Sequence, residues 1–139
     1  MRNILSICIL FTMLGGCTSY GEKIDFQGDD LYYKSPVTKA NANQLGEFLK
    51  SYQYFTGKGY AVQVIKDTTY TVRFATKDSI EQDEEVIGGF KFLLMDMSNA
   101  AFEGAPVNVD LCDASFHTKM SISYSDAKSF MEEMLLNVK

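Results

Sequence analysis

The residue types able to do chemistry gather in one short stretch, Asp110, Cys112, Asp113 and His117. A thiol beside an imidazole is the nucleophile and base of a hydrolase, provided the two come within hydrogen-bond reach and N–H donors await the oxyanion. Asp110, Cys112 and His117 are also of metal-ligand type, but a metal site needs at least three convergent ligands and a supporting shell. His117 is the one histidine of the chain, and no spaced Cys/His pattern lies elsewhere. With Asp113-Ala114 as a hairpin turn, Leu111 faces Phe116 on the core side and Asp110 faces His117 on the other, with Cys112 diagonal to His117. No glycine-rich loop or helix start adjoins to supply amides. The expectation is therefore no catalytic residue, no metal and no cofactor. A small Cys/His-dependent hydrolase or a metal-binding protein using Cys112 and His117 is the alternative. The chain also lacks a phosphate-binding glycine loop and a serine elbow.

The elements that would position these residues can be read from periodicity. Ile24 to Lys34 reads as one short strand or two, turning at Gly28-Asp29-Asp30. Ser35 as cap and Pro36 at the first helical position open a helix over about Val37 to Tyr54, with Leu45, Phe48, Leu49 and Tyr52 on one face. Gly57-Lys58-Gly59 breaks it. Tyr60 to Lys66 and Thr69 to Thr76 then flank Asp67-Thr68 as a hairpin. Ser79 and Gln82 form a capping-box pattern opening a second helix to about Ala101, whose stripe is Val86, Phe90, Leu93, Met97 and Ala101. Gly88-Gly89 inside it costs about 1 kcal/mol per glycine relative to alanine, which predicts close backbone packing there. Val107 to Cys112 and Phe116 to Ser123 form the second hairpin. A third helix over Asp126 to Val138, capped by Ser123 or Ser125, carries Phe130, Met131, Met134, Leu135 and Val138 on one side.

Upstream of all this, Leu14-Gly15-Gly16-Cys17 follows Arg2 and an apolar run from Ile4 to Leu14 interrupted only by Ser6 and Thr12. The run is shorter than the roughly 20 residues needed to span a bilayer. The stretch resembles the lipobox of bacterial lipoproteins. That resemblance implies cleavage between Gly16 and Cys17, a signal peptide over 1–16, lipidation (palmitate among the acyl chains) of Cys17, and a tether over 17–23 to a single domain over 24–139. Thr18 in place of an aspartate resembles lipoproteins passed to the outer membrane, facing the periplasm. Removing the first 16 of 139 residues leaves 123, the size of one core. With Arg2 gone the net charge moves from −5 to −6, which argues against nucleic acid as a partner. The expected membrane link is the lipid alone. Of the three cysteines, Cys8 leaves with the signal and Cys17 carries lipid, so Cys112 has no partner for a disulfide.

A shift of 46 lays Ile65-Lys66-Asp67-Thr68-Thr69-Tyr70 over Leu111-Cys112-Asp113-Ala114-Ser115-Phe116, and Arg73 over Lys119. The fold class expected from this internal repeat is α+β. Two helix-hairpin (αββ) units would form one antiparallel sheet with helices on one face, plus an N-terminal strand and a C-terminal helix. Phe48, Phe74, Phe90, Leu93, Leu111 and Met120 are the expected core. Tyr32-Tyr33-x-Ser35-Pro36-Val37-Thr38, Leu45-Gly46-Glu47-Phe48-Leu49, Asp83-Glu84-Glu85 and Leu111-Cys112-Asp113 resemble an uncharacterised bacterial domain, a resemblance that implies no activity. With Asp67-Thr68 as the first turn, Val62 and Val64 fall on the face away from the core. Two exposed valines invite a cover, either the N-terminal strand or the apolar side of the third helix within the chain, or a protein partner in the envelope with Arg73, His117 and Lys119 as its polar rim. Together these features read as a membrane-anchored, non-catalytic binding or scaffold module.

Overall fold

The computed structural model describes residues 20–138. The signal segment 1–16 and Cys17 lie outside the described residues. Six strands, β1 (Glu22–Phe26), β2 (Asp29–Tyr33), β3 (Ala61–Lys66), β4 (Tyr70–Ala75), β5 (Val107–Cys112) and β6 (Thr118–Ile122), form one sheet in chain order. Helix α1 (Lys39–Ser51) lies between β2 and β3, α2 (Glu84–Ala101) between β4 and β5, and α3 (Tyr124–Asn137) follows β6. The fold is mixed α+β. The expectation of an antiparallel sheet made from two αββ units is corrected, because β2–β3 and β4–β5 pair in parallel. A parallel neighbour demands a crossover, and α1 and α2 supply the two. The three helices also do not share one face: α3 packs chiefly on α2, and its main link to the sheet is β5.

Local sequence explains where the elements begin. Gln27 and Gly28 both have positive φ, 58° and 106°, so the β1–β2 turn is a two-residue hairpin one step ahead of the expected Gly28-Asp29-Asp30. Pro36 does not open α1; it follows a cis peptide, and Thr38 is the cap. The Thr38 hydroxyl accepts from the Asn41 amide at 3.1 Å while Asn41 accepts from the Thr38 amide at 3.3 Å. Ser79 caps nothing, since its φ of 66° aims it elsewhere; a single 3₁₀ turn follows, and Asp83 caps α2 by accepting from Glu85 and Val86. Ser123 caps α3 through the Asp126 amide. β1 begins at Glu22, inside the stretch expected to be tether.

The core comes from alternate strand positions. Leu31, Val62, Val64, Val72, Phe74, Val107, Val109 and Leu111 are buried with Leu45 and Leu49 of α1 and Phe90, Leu93, Leu94 and Met97 of α2. Phe48 and Met120 are half-buried against it. The closest packing is at Gly46, where an added Cβ would fall inside the Phe26 ring. Gly88 and Gly89 do not play that part: a Cβ on Gly88 would make ordinary contact with Phe130, and one on Gly89 would meet nothing. The expected apolar stripe of α3 is not buried as a stripe; Ala127 is its one fully buried residue, and Leu135 is 69 % exposed.

Candidate functional site

The first hairpin pairs Lys66 with Tyr70, Val64 with Val72 and Val62 with Phe74. Three residues, not two, separate β3 from β4, so the register differs by one from the expected Asp67-Thr68 turn, and the slip moves the side chains of β3 to the other face while those of β4 keep theirs. Val62 and Val64 are therefore core, 0 % and 1 % exposed, and the apolar partner surface expected there is corrected. The opposite face carries Gln63 beside Arg73.

Arg73 centres a polar network on that second face. Its guanidinium donates to Gln63 Oε1 at 3.0 Å, to the Phe116 carbonyl at 2.7 Å and to Thr118 Oγ1 at 2.9 Å, and its Nε lies 3.6 Å from Asp110 Oδ2. Asp110 in turn accepts from Ser121 at 2.8 Å and Thr118 at 3.1 Å. Tyr20, Tyr32 and Phe116 pack edge to face over this side, with centroids 5.1 to 5.9 Å apart. Gln63 Nε2 donates to the Tyr20 carbonyl at 2.9 Å. Every polar partner here is another part of the domain, which makes Arg73 a structural cross-brace joining β3, β4, β5 and β6.

Asp110 opposes Ser121, and Cys112 opposes Thr118, where the ladder is irregular. The expected Asp110–His117 pair is thus corrected: His117 lies in the turn, and its exposed ring meets Asp113 Oδ2 at 3.1 Å. The His117 amide, followed by that of Ser115, holds the Asp113 carboxyl below its ordinary range. Cys112 is buried and free, its Sγ 3.8 Å from the Asp110 carbonyl and 4.0 Å from Thr118 Oγ1. Burial pushes its thiol up, with Arg73 the largest opposing influence. A thiolate nucleophile needs the reverse. Among the described residues, no three His, Cys, Asp or Glu side chains are placed to share a metal ion. Lys119 bridges the Lys77 carbonyl at 2.8 Å and Glu81 at 3.4 Å.

A cleft of about 550 Å³ lies elsewhere, where the α1–β3 loop, the segment after β4 and the β5–β6 turn meet. Its apolar wall is Tyr54, Tyr60, Ile80 and Phe90, and its polar rim includes Lys58, Thr76 and Lys77. The Tyr54 ring stands 5.0 Å from Phe74, 5.1 Å from Tyr60 and 6.5 Å from Phe90. Burial, then the proximity of Tyr60 and Asp29, raises its phenol well above the ordinary value, so it stays neutral. Buried Asp29 shapes the loop, accepting from the Gly57 amide at 2.7 Å and the Tyr60 amide at 2.8 Å. Gly57 and Gly59, both at φ 84°, allow the bend. The residue pattern pointed away from this cleft, because its lining comes from loops without a chemical motif. The one signal was Gly57-Lys58-Gly59 flanked by Tyr54 and Tyr60.

A family model, AF_1994_N, described as a family N-terminal domain, matches residues 23–124. The chain belongs to that family. The matched stretch contains the whole sheet from Lys23 with α1 and α2, together with the motifs between Tyr32 and Cys112, and ends as α3 begins. No curated protein and no solved structure matches the chain.

Proposed function

We propose that the protein is a non-catalytic binding module of the cell envelope, held through a lipid on Cys17 to the outer membrane and facing the periplasm. The observation that carries the binding half is the open, aromatic-walled cleft at Tyr54, which is of ligand-site size and is lined by no His, Cys, Asp or Glu. The anchoring half rests on Leu14-Gly15-Gly16-Cys17 and its apolar lead. Among the described residues no helix is long and apolar enough to cross a membrane. The hydrolase alternative finds no support in the geometry, with Cys112 buried and His117 engaged by Asp113.

Fractionation of cells expressing the full chain tests the anchor: wild type should sediment with membranes, and Cys17→Ala should accumulate as a precursor without acyl chains. Equal lipid incorporation in both would remove the anchor. The purified protein and its Cys112→Ser variant should also hydrolyse p-nitrophenyl esters at the same background rate. A rate lost in the variant would return the hydrolase reading.

A further inference from the structure

The charges around the Tyr54 cleft run against those of the chain. The whole sequence carries 18 acidic and 13 basic residues, yet the cleft is lined by Lys58 and Lys77 and by no Asp or Glu. Neither ammonium has an ion-pair, hydrogen-bond or ring partner among the described residues. Of the carboxylates close by, Asp29 is engaged by the Gly57 and Tyr60 amides, Glu81 by Lys119, and Asp113 by His117 and the Ser115 amide; Asp78, next to Lys77 in the chain, is exposed and lies outside the cleft lining. Two uncommitted cations thus stand at the mouth of a pocket whose wall is Tyr54, Tyr60, Ile80 and Phe90. An exposed lysine is ordinarily just solvated. Here the pair shares one concave site with aromatic rings, and apolar surroundings strengthen an ion contact relative to open water.

We infer that this cleft takes a small amphipathic anion: an aromatic or branched apolar body seated against Tyr54 and Phe90, with one anionic group between Lys58 and Lys77. This deepens the reading of the protein as a binding module and rests on the cleft being its binding site. Ring stacking accounts for the body, since the cleft is lined by the rings of Tyr54, Tyr60 and Phe90 and aromatic pairs prefer offset and edge-to-face approaches. The lysines select charge and not shape, because an ammonium is a point donor without the fork geometry of arginine.

The test is calorimetric titration of the purified full-length protein with 4-phenylbutyrate, with its neutral amide, and with acetate. The aromatic acid should bind, the amide about ten-fold more weakly or worse, and acetate not measurably, since each part alone lacks half the contacts. Lys58→Gln with Lys77→Gln should bring the acid down to the affinity of the amide without changing the melting temperature, as both side chains are exposed. Rising sodium chloride should weaken the acid and leave the amide unchanged, a measurement on wild type that does not depend on any variant folding. Equal affinities for acid and amide, an unaltered affinity in the double variant, or no heat from phenylbutyrate at millimolar concentration would overturn the inference. None of these outcomes touches the release of Cys17→Ala from membranes, so failure here and failure of the anchor are separate results.

Discussion

Gly46 shows how one missing side chain sets the spacing of two elements. It lies in the middle of α1, where glycine costs roughly 1 kcal/mol relative to alanine, and helix propensity alone argues for replacing it. Packing argues the other way, because a Cβ there would enter the ring of Phe26 on β1. Phe26 is itself wedged against Phe55 at 5.6 Å and is 8 % exposed, so it has little room to turn. Overpacking of this kind costs about 1–3 kcal/mol, more than the propensity gain. Gly46→Ala should therefore lower stability in urea unfolding. Adding Phe26→Leu should recover part of the loss, so that the pair costs less than the sum of the singles. Additive costs would show that α1 shifts away from β1 instead of pressing on the ring.

At the scale of elements, the strands and helices were legible in the sequence because each is short and bounded by turn residues; Leu45 and Leu49 of α1 and Phe90, Leu93, Met97 and Ala101 of α2 are core as expected, whereas Phe48 and Val86 are half-buried and Tyr52, past the end of α1, is exposed. Two things were not legible. The pairing of β2 with β3 and of β4 with β5 depends on which edge a crossover returns to, and no residue in the strands encodes that. The face of each strand depends on turn length to the single residue, and reading two turn residues in place of Asp67-Thr68-Thr69 exposed Val62 and Val64 on paper. Arg73 lies on the second face as expected, but with the valines gone from it the residue is no partner-binding rim and instead braces four strands. Its side chain is 20 % exposed and that of Asp110 17 %, so solvent screens the ion pair in part. Arg73→Met leaves Asp110 without its cation and strands the Phe116 carbonyl, at a cost of roughly 1–3 kcal/mol. Asp110→Asn should cost less, because Ser121 and Thr118 can still donate to it. In a double-mutant cycle by chemical denaturation, the pair should cost measurably less than the sum; agreement within about 0.5 kcal/mol would mean that Arg73 is held by Phe116 and Thr118 alone.

For the whole molecule, what matters is where ordered packing begins relative to the proposed anchor. Tyr20 is three residues beyond Cys17, and three extended residues span at most about 10 Å. Tyr20 is fixed on the second face by the rings of Tyr32 and Phe116 and by Gln63. A lipid on Cys17 would then hold that face near the bilayer instead of letting the domain swing on a free tether. The expected orientation can be read by quenching. In vesicles containing lipid with a spin-labelled headgroup, a fluorophore at Lys23→Cys, which pairs with Tyr32 on the second face, should be quenched more than one at Lys50→Cys on the exposed side of α1. A flexible Gly/Ser insertion of about 20 residues between Ser19 and Tyr20 allows a root-mean-square reach of roughly 25 Å, and should bring the two signals together. The Tyr20→Ala variant should move them the same way by a smaller amount, since it keeps the Gln63 contact to the backbone. Equal quenching at both positions in the unmodified chain would mean that the lipid does not orient the domain, and the clamp at Tyr20 would then serve only to cover the second face of the sheet.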